Sequence, residues 1–184
     1  MGEEGCSEKS PFRLAGSIRD ADNHVMKVQR VYVDTSVLGG CFDEEFAPWS
    51  NGLMRDFRRG NFEAVTSDVV AAEVEPAPDE VQSKYAELES YGATVVEVTE
   101  DVVELADAYE RRGILSSNYR DDGLPIAAAT VHAVDVLTSW NFQHIVHIEK
   151  IRRFNTVNQE LGYKPIDIRS PREVTTHGPG EKDV

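Results

Sequence analysis

Three acidic residues in this sequence stand where a strand is expected to end or a helix to begin. The first, Asp34, closes the apolar run Val31–Val33 and precedes a stretch that reaches Gly39 and Gly40. This pattern predicts a buried strand that enters a turn. Because a buried carboxylate is destabilising without a positive partner, Asp34 is a candidate functional residue whose partner lies elsewhere.

The other two acids lie on expected helices. Glu73 follows a strand, on a helix for which Ser67 is a plausible N-cap. Asn118 and Asp121 have the spacing of an N-cap and its N3 acid, which assigns Asp121 to capping and Asp122 to the first turn. Both candidates also suit structural roles, Glu73 as an exposed helix acid and Asp122 as an acid favoured by the helix dipole.

Polar groups also follow the expected strand "VDVLTSW", where Ser139 and Asn141 stand at the carboxyl end. Asp135, at the opposite end of this strand, is expected to be structural. The three acids and the amide form a set of oxygen ligands that includes no cysteine and needs no histidine. Such hard ligands select Mg²⁺ or Mn²⁺, so a divalent cation is the expected positive partner of Asp34.

Apolar runs alternate with helical patterns along the chain, which predicts an α/β fold with a mostly parallel sheet and helices on both faces, in three layers. In such sheets a ligand binds beyond the carboxyl ends of the strands, where Asp34 is expected. The expected strands are Val31–Asp34, Phe62–Thr66, Ala93–Val98, Val134–Thr138 and Pro165–Ile168. The expected helices lie near Asn51–Arg59, Asp68–Glu75, Asp79–Tyr91, Glu100–Arg112, Asn118–His132 and Ile148–Leu161.

The length of 184 residues and a hydrophobic content of 40% suit one domain with short tails. We expect a polar, flexible extension over residues 1–25, the domain over residues 26–174, and a flexible tail over residues 175–184. No apolar run reaches the roughly 18 residues of a membrane helix, and the N-terminus lacks the apolar segment of a signal peptide. The two cysteines form no metal or redox motif, so a cytoplasmic location is expected.

The formal net charge of −14 argues at first against a nucleic-acid partner, but the acidity is regional. Residues 72–110 hold twelve acids and one base, whereas residues 111–170 hold eight bases and six acids. The acidic stretch is expected to be a solvated helical face, so the second half of the chain can meet phosphate. Arg120, two residues before Asp122, is the strongest candidate for a phosphate contact.

These residues make the sequence resemble a PIN domain, and within that group the VapC-type toxin ribonucleases. The resemblance covers about residues 27–174 and rests on "VYVDTSVLGG", "VTSDVVAAEVE", "DDGLPIAAAT" and "VLTSWNFQHIVH", in family order. It implies that Asp34, Glu73 and Asp122 are catalytic acids that bind Mg²⁺ or Mn²⁺. Asn141 falls where a fourth acid often stands, and Ser139 at the hydroxyl position near it, where we expect it to contact substrate.

The function implied by this resemblance is a metal-dependent endoribonuclease, the toxin of a toxin–antitoxin pair. Its substrate would be RNA, cut to leave 5′-phosphate and 3′-hydroxyl ends, and its partners a small antitoxin and a second copy of the chain in a homodimer. Two residues depart from the pattern. Asn141 adds no charge, which would weaken a second metal site, and Pro125 replaces a common histidine.

The acid pattern has three other interpretations. A haloacid-dehalogenase-type phosphatase needs an acid where Ser36 stands, and a receiver domain needs an acidic pair that is absent. A PIN fold that serves as a non-catalytic interaction module is the remaining alternative. His144 and His147 are expected to be structural rather than a zinc pair, and Trp49 and Trp140 to belong to the core.

Overall fold

The protein is described here by a computed structural model, over residues 27–178. Five strands form one parallel sheet in the order β3-β2-β1-β4-β5. They are β1 (Gln29–Val33), β2 (Phe62–Ser67), β3 (Thr94–Val96), β4 (Val136–Thr138) and β5 (Asp167–Arg169). The α/β fold with a parallel sheet is therefore confirmed.

Between residues 27 and 178, eight α-helices connect or follow these strands. They are α1 (Thr35–Gly40), α2 (Ala47–Arg58), α3 (Asp68–Val74), α4 (Asp79–Ser90), α5 (Glu100–Arg111), α6 (Gly123–Val131), α7 (Ile148–Glu160) and α8 (Pro171–Val174). Helix α1 packs against α2 and α4, whereas α5 packs against α6 and α7. Strands are added first on one side of β1 and then on the other. Because the crossover connections between parallel strands are right-handed, this change of direction places the connecting helices on opposite faces of the sheet.

The strand order reverses at β1. The chain runs outward from β1 to β2 and β3, and then returns to place β4 on the other side of β1. The carboxyl ends of β1 and β4 therefore flank the topological switch point, where parallel sheets bind ligands. Asp34 follows β1, and the segment Ser139–Asn141 follows β4.

The central strand and α6 are buried because their side chains suit close packing. Val31, Tyr32 and Val33 are fully buried in β1, and Ala127–Ala129 are fully buried in α6. Small side chains let α6 approach its neighbours closely, and a Cβ at Gly123 would lie 3.1 Å from the Leu115 side chain. The first turn of α6 is thereby held against the core.

The start of α6 differs from the prediction. A helix from Asn118 was expected, with Asp121 as its capping partner, but a 3-10 turn occupies Ser117–Tyr119 and the α-helix begins at Gly123 with Asp122 at its N-cap. The physical reason is Pro125. A proline is tolerated in the first turn of a helix, but in the second turn it would disrupt the helix. A helix capped at Asn118 would place Pro125 in its second turn.

Two short helices were missed. The glycines after Asp34 were interpreted as a turn, but α1 continues through both of them, and a Cβ at Gly40 would lie 2.6 Å from the Trp140 indole nitrogen. Helix α8 begins with a capping box between Ser170 and Glu173, the local signal that defines such a start.

The predicted C-terminal tail is packed where it begins. Thr175 and Thr176 donate hydrogen bonds to the buried Asp56, and His177 is 8% exposed. The rest of this predicted tail beyond residue 178, and the predicted N-terminal extension over residues 1–25, lie outside the described residues. Among residues 27–178, no helix is long and apolar enough to cross a membrane.

Candidate active site at the carboxyl edge of the sheet

Asp34 is the most firmly held residue of the candidate site. It is 7% exposed, and its Oδ2 accepts hydrogen bonds from the hydroxyls of Ser36 at 2.5 Å and Ser139 at 2.8 Å. Its backbone N–H donates to the Thr138 carbonyl at 3.2 Å. Hydrogen bonds from both sides of the switch point therefore fix one carboxylate oxygen, and Oδ1 accepts none from the described residues.

Glu73 projects from α3 toward the same edge. Its Oε2 accepts a hydrogen bond from the hydroxyl of Thr35, the residue after Asp34. Partial desolvation raises the pKa of Glu73, the Thr35 hydrogen bond lowers it, and repulsion from Asp34, Asp122 and Asp121 raises it, with a net upward shift. The Glu73 carboxylate thus lies in a field that disfavours its charge.

Asp122 stands at the N-cap of α6 and is half-buried. Its Oδ1 accepts a hydrogen bond from the Asn141 side-chain amide at 3.3 Å. Desolvation is the largest cause that raises the pKa of Asp122; His144 and Lys150 lower it, and Asp34 raises it again, with a net upward shift. Like Glu73, Asp122 has acidic neighbours that its surroundings do not fully balance.

The Asn141 side chain makes hydrogen bonds within the site, so its oxygen is not free to bind a cation. Its side-chain oxygen accepts the backbone N–H of His144 at 2.9 Å, while its side-chain amide donates to Asp122. Its backbone N–H donates to the Ser139 hydroxyl at 3.0 Å. A chain of hydrogen bonds therefore links Asp122, through Asn141 and Ser139, to Asp34.

The donor set suits a hard divalent cation, because it consists of carboxylate oxygens whose charges repel one another. The carboxylates of Asp34, Glu73 and Asp122 do not converge on a single point. Within residues 27–178, no group of three acidic, histidine or cysteine side chains is close enough to hold a metal ion as it stands. Binding would therefore require Glu73 or Asp122 to turn toward Asp34.

The two residues expected to contact substrate are placed differently. Arg120 is paired with acids: its Nη2 lies 2.6 Å from Asp107 Oδ1, and its Nε lies 3.8 Å from Glu110 Oε2. Ser139 is fully buried and donates to Asp34. These placements favour a supporting role for Ser139 and leave Arg120 neutralised by its neighbours.

Several neighbours of the site were not singled out as site residues. Asp121 adds repulsion to both Glu73 and Asp122, although its spacing had suggested a cap. Lys150 donates to the Gln143 carbonyl and to His144 Nδ1, each at 3.0 Å. His144 stacks on Tyr119 with 4.0 Å between ring centroids, and its buried Nε2 has no hydrogen-bond partner within residues 27–178. Only proximity in space identifies this group, because Lys150 is 28 residues from Asp122 in sequence.

Comparison with solved structures agrees with this architecture. One chain of the VapBC2 complex from Rickettsia felis, bound to a DNA fragment from the promoter, superposes with a TM-score of 0.51 at 15% identity, covering 77% of this chain and 98% of that chain. The fold is PIN-like.

A second neighbour of this PIN-like chain comes from a toxin–antitoxin complex of Klebsiella pneumoniae. Its TM-score is 0.48 at 15% identity, and it covers 65% of this chain and 93% of that chain. No protein-family model matches the sequence, and no curated protein matches it. At such low identity, the likeness to the Rickettsia felis chain shows the fold alone.

Proposed function

We propose that this PIN-like protein is a divalent-metal-dependent endoribonuclease that acts as the toxin of a toxin–antitoxin pair. The observation that carries the proposal is the group of acids at the switch point of the sheet. Asp34, Glu73 and Asp122 come from three separate parts of the chain, and Asp34 raises the pKa of both other acids. Acids with pKa values perturbed in this way cluster at functional sites.

In this proposal Asp34 and Asp122 are the principal ligands of Mg²⁺ or Mn²⁺, and Glu73 completes the set. Such an ion supplies Lewis acidity at a phosphate and lowers the pKa of a bound water. Thr35 and Ser36 orient Glu73 and Asp34 through hydrogen bonds. Asn141, with its amide on Asp122, limits the rotation of that carboxylate.

The substrate is RNA, and hydrolysis with water as nucleophile leaves 5′-phosphate and 3′-hydroxyl ends. Lys150 is the cation best placed for the phosphate, since its ammonium contacts the Gln143 carbonyl and the His144 ring rather than a carboxylate. Arg120 remains a candidate for that contact only if Asp107 and Glu110 release it.

An antitoxin partner is supported by the fold shared with a chain of a VapBC complex. We propose a small protein that masks the acidic site, a homodimer of the toxin, and a cytoplasmic location. A PIN fold that acts only as an interaction module is the second candidate, and the incomplete closure of the acids favours it. The two candidates differ in whether metal supports cleavage.

Cleavage of a fluorescent single-stranded RNA tests the proposal. Wild-type protein should cut with Mg²⁺ or Mn²⁺, lose activity with EDTA, and recover when Mn²⁺ is restored. Asp34→Asn should lower the rate by about a hundredfold or more, as expected for loss of a catalytic carboxylate. Glu89→Gln is the control, because Glu89 is an exposed acid of α4, and it should cut like wild type. No metal-dependent cleavage by pure wild-type protein would favour the interaction module.

A further inference from the structure

An aromatic cavity of about 320 Å³ opens beside the candidate active site. Its lining comes from the segment before α2, from α2 itself, from the turn after β4 and from α8. The lining residues are Glu45, Phe46, Trp49, Trp140, Phe142 and Arg172, with Ser170 and Glu173 at the base of α8. Four of these residues are aromatic.

Hydrogen bonds connect this cavity to the acids. The backbone N–H of Trp140 donates to the Ser36 hydroxyl at 2.9 Å, and that hydroxyl donates to Asp34. On the other side, Phe142 follows Asn141, whose amide donates to Asp122. The turn that orients two of the acids therefore also carries two rings of the cavity.

Trp140 and Phe46 form a stacked pair of rings, and Phe142 is the exposed ring beside them. Trp140 stacks on Phe46 with 4.3 Å between centroids, and its indole N–H donates to Ser50. Phe142 is tilted against Trp140 at 5.9 Å, and 49% of it is exposed. A large apolar ring with this exposure has a face available for another planar group, while the ring behind it cannot move away.

The charged residues around the cavity determine which kind of planar ligand suits it. Arg172 lies over the Trp49 ring at 5.3 Å, and Glu173 is engaged by Ser170 and Arg169. The exposed Glu45 carboxylate has no side-chain partner among the described residues. The lining carries two carboxylates against one guanidinium, so it has no net positive charge that would favour a phosphate. Because the Glu45 carboxylate can accept the N–H groups at the edge of a nucleobase, a neutral heterocycle suits this cavity better.

We propose that this cavity binds one unpaired base of the RNA strand, stacked on Phe142, while the adjoining phosphate lies at the acids. This inference rests on the proposed function and names its substrate class as single-stranded RNA. Bases stack on aromatic side chains regardless of sequence, because every base has a π-face. Duplex RNA could not use the cavity, since its bases are already stacked in the helix.

Binding of a labelled single-stranded RNA about ten nucleotides long, measured in the Asp34→Asn background to prevent cleavage, tests this site. Phe142→Ala should weaken binding by about tenfold, and Phe142→Trp should restore it. Leu161→Ala, a change at an exposed apolar residue at the end of α7, should leave binding unchanged. Equal affinities for Phe142→Ala and its parent would overturn the proposal and leave the cavity as a surface for a protein partner.

A second measurement separates stacking from damage to the fold. A series of the same RNA, each with one abasic position, should contain a member that binds the parent protein weakly. The same abasic change should have no further effect on the Phe142→Ala protein. Equal losses in both proteins at every position would exclude a base in the cavity.

The two proposals can fail separately. If wild-type protein cuts RNA with Mn²⁺ but Phe142→Ala binds normally, the nuclease stands and the base site is wrong. If wild-type protein does not cut RNA but binding depends on Phe142 and on one base, the base site stands and the nuclease is wrong.

Discussion

Two groups of carboxylates in the described part of the chain differ in what surrounds them. Asp56 in α2 is fully buried and accepts hydrogen bonds from Asn61, Thr175 and Thr176. Burial alone would raise the pKa of Asp56, but these hydrogen bonds lower it below its ordinary value of 3.8. Asp56 is thus a carboxylate with matched donors.

Asp135, at the amino edge of the sheet, resembles Asp56. It accepts the backbone N–H of Arg30 at 2.8 Å and lies 3.3 Å from the Lys27 ammonium. Burial raises the pKa of Asp135, but the Arg30 and Lys27 contacts outweigh it and lower the pKa. The prediction that Asp135 is structural agrees with these contacts.

Two of the acids at the carboxyl edge have a different environment. Glu73 and Asp122 have raised pKa values, with desolvation as the largest cause and acidic neighbours adding to it. Asp34 accepts two hydroxyl hydrogen bonds, as the structural acids accept theirs, but it also lies beside these two acids. Burial alone therefore does not separate the candidate site acids from the structural ones; the candidate site acids differ in that they face one another.

The largest expected stability effect is at Asp56. Asp56→Ala leaves buried donors from the C-terminal segment without an acceptor, so unfolding free energy should fall by about 3 kcal/mol. Urea denaturation measures this change. RNA cleavage per folded molecule should stay normal, because Asp56 lies away from the switch point. Asp34→Asn should show the reverse pattern, with stability near that of wild type and cleavage lost; a matching loss of stability in both variants would break the comparison.

The pH dependence of stability should differ between the two kinds of acid. A carboxyl whose pKa is lowered by folding adds stability above its unfolded pKa, and this is lost as pH falls through the folded value. Asp56→Asn should therefore flatten the fall in stability below about pH 4, where Asp groups titrate. Unfolding measured by urea at several pH values tests this. If the stability of Asp56→Asn falls as steeply with decreasing pH as that of wild type, other carboxyl groups account for the fall.

For the acids of the site the sign is reversed. A raised pKa in the folded state favours folding at low pH, and that contribution is lost as pH rises through the folded value. Without metal at neutral pH, Glu73→Gln combined with Asp122→Asn should therefore raise the melting temperature. Added Mn²⁺ should stabilise wild type more than this variant. A double variant less stable than wild type without metal would contradict mutual repulsion at the site.

A smaller effect is expected at Asn141, where Asn141→Asp adds a fourth carboxylate to the unmatched group. The change removes the amide donor to Asp122 and brings another negative charge beside it. Affinity for Mn²⁺ should rise by about tenfold, the scale of changes next to metal ligands, while stability without metal should fall. Calorimetric titration measures the affinity, and Gln159→Glu, at an exposed position of α7, provides a control for the added charge.

The smallest expected effect concerns the cations near the site. Lys150→Ala should lower the slope of RNA affinity against salt on a log–log plot by about 0.7, the value for one phosphate contact to a single strand. Arg120→Ala should change it less, because Asp107 and Glu110 already neutralise Arg120. A larger change for Arg120 than for Lys150 would show that substrate displaces the two acids and would restore Arg120 as the phosphate contact.

Much of the fold could be predicted from local patterns. Strands β1 and β2 and most helices lie near their predicted positions, because their apolar residues repeat with a clear period. The start of α6 could not be placed by capping spacing alone, since Pro125 overrode the Asn118 signal. The pairing of Arg120 with Asp107 was also out of reach, because it joins residues 13 apart across two elements.

The sequence by itself determined the alternation of the strands and the longer helices, and it placed Asp34 after a strand, Glu73 on α3 and Asp122 near the start of α6. Only the tertiary structure decided which carboxylates meet donors and which meet other acids. The physical reason is distance along the chain: Thr175 and Thr176, which donate to Asp56, lie about 120 residues away, and the Ser139 hydroxyl that holds Asp34 lies 105 residues away. Such contacts arise from the strand order of the sheet, which no local pattern of residues specifies.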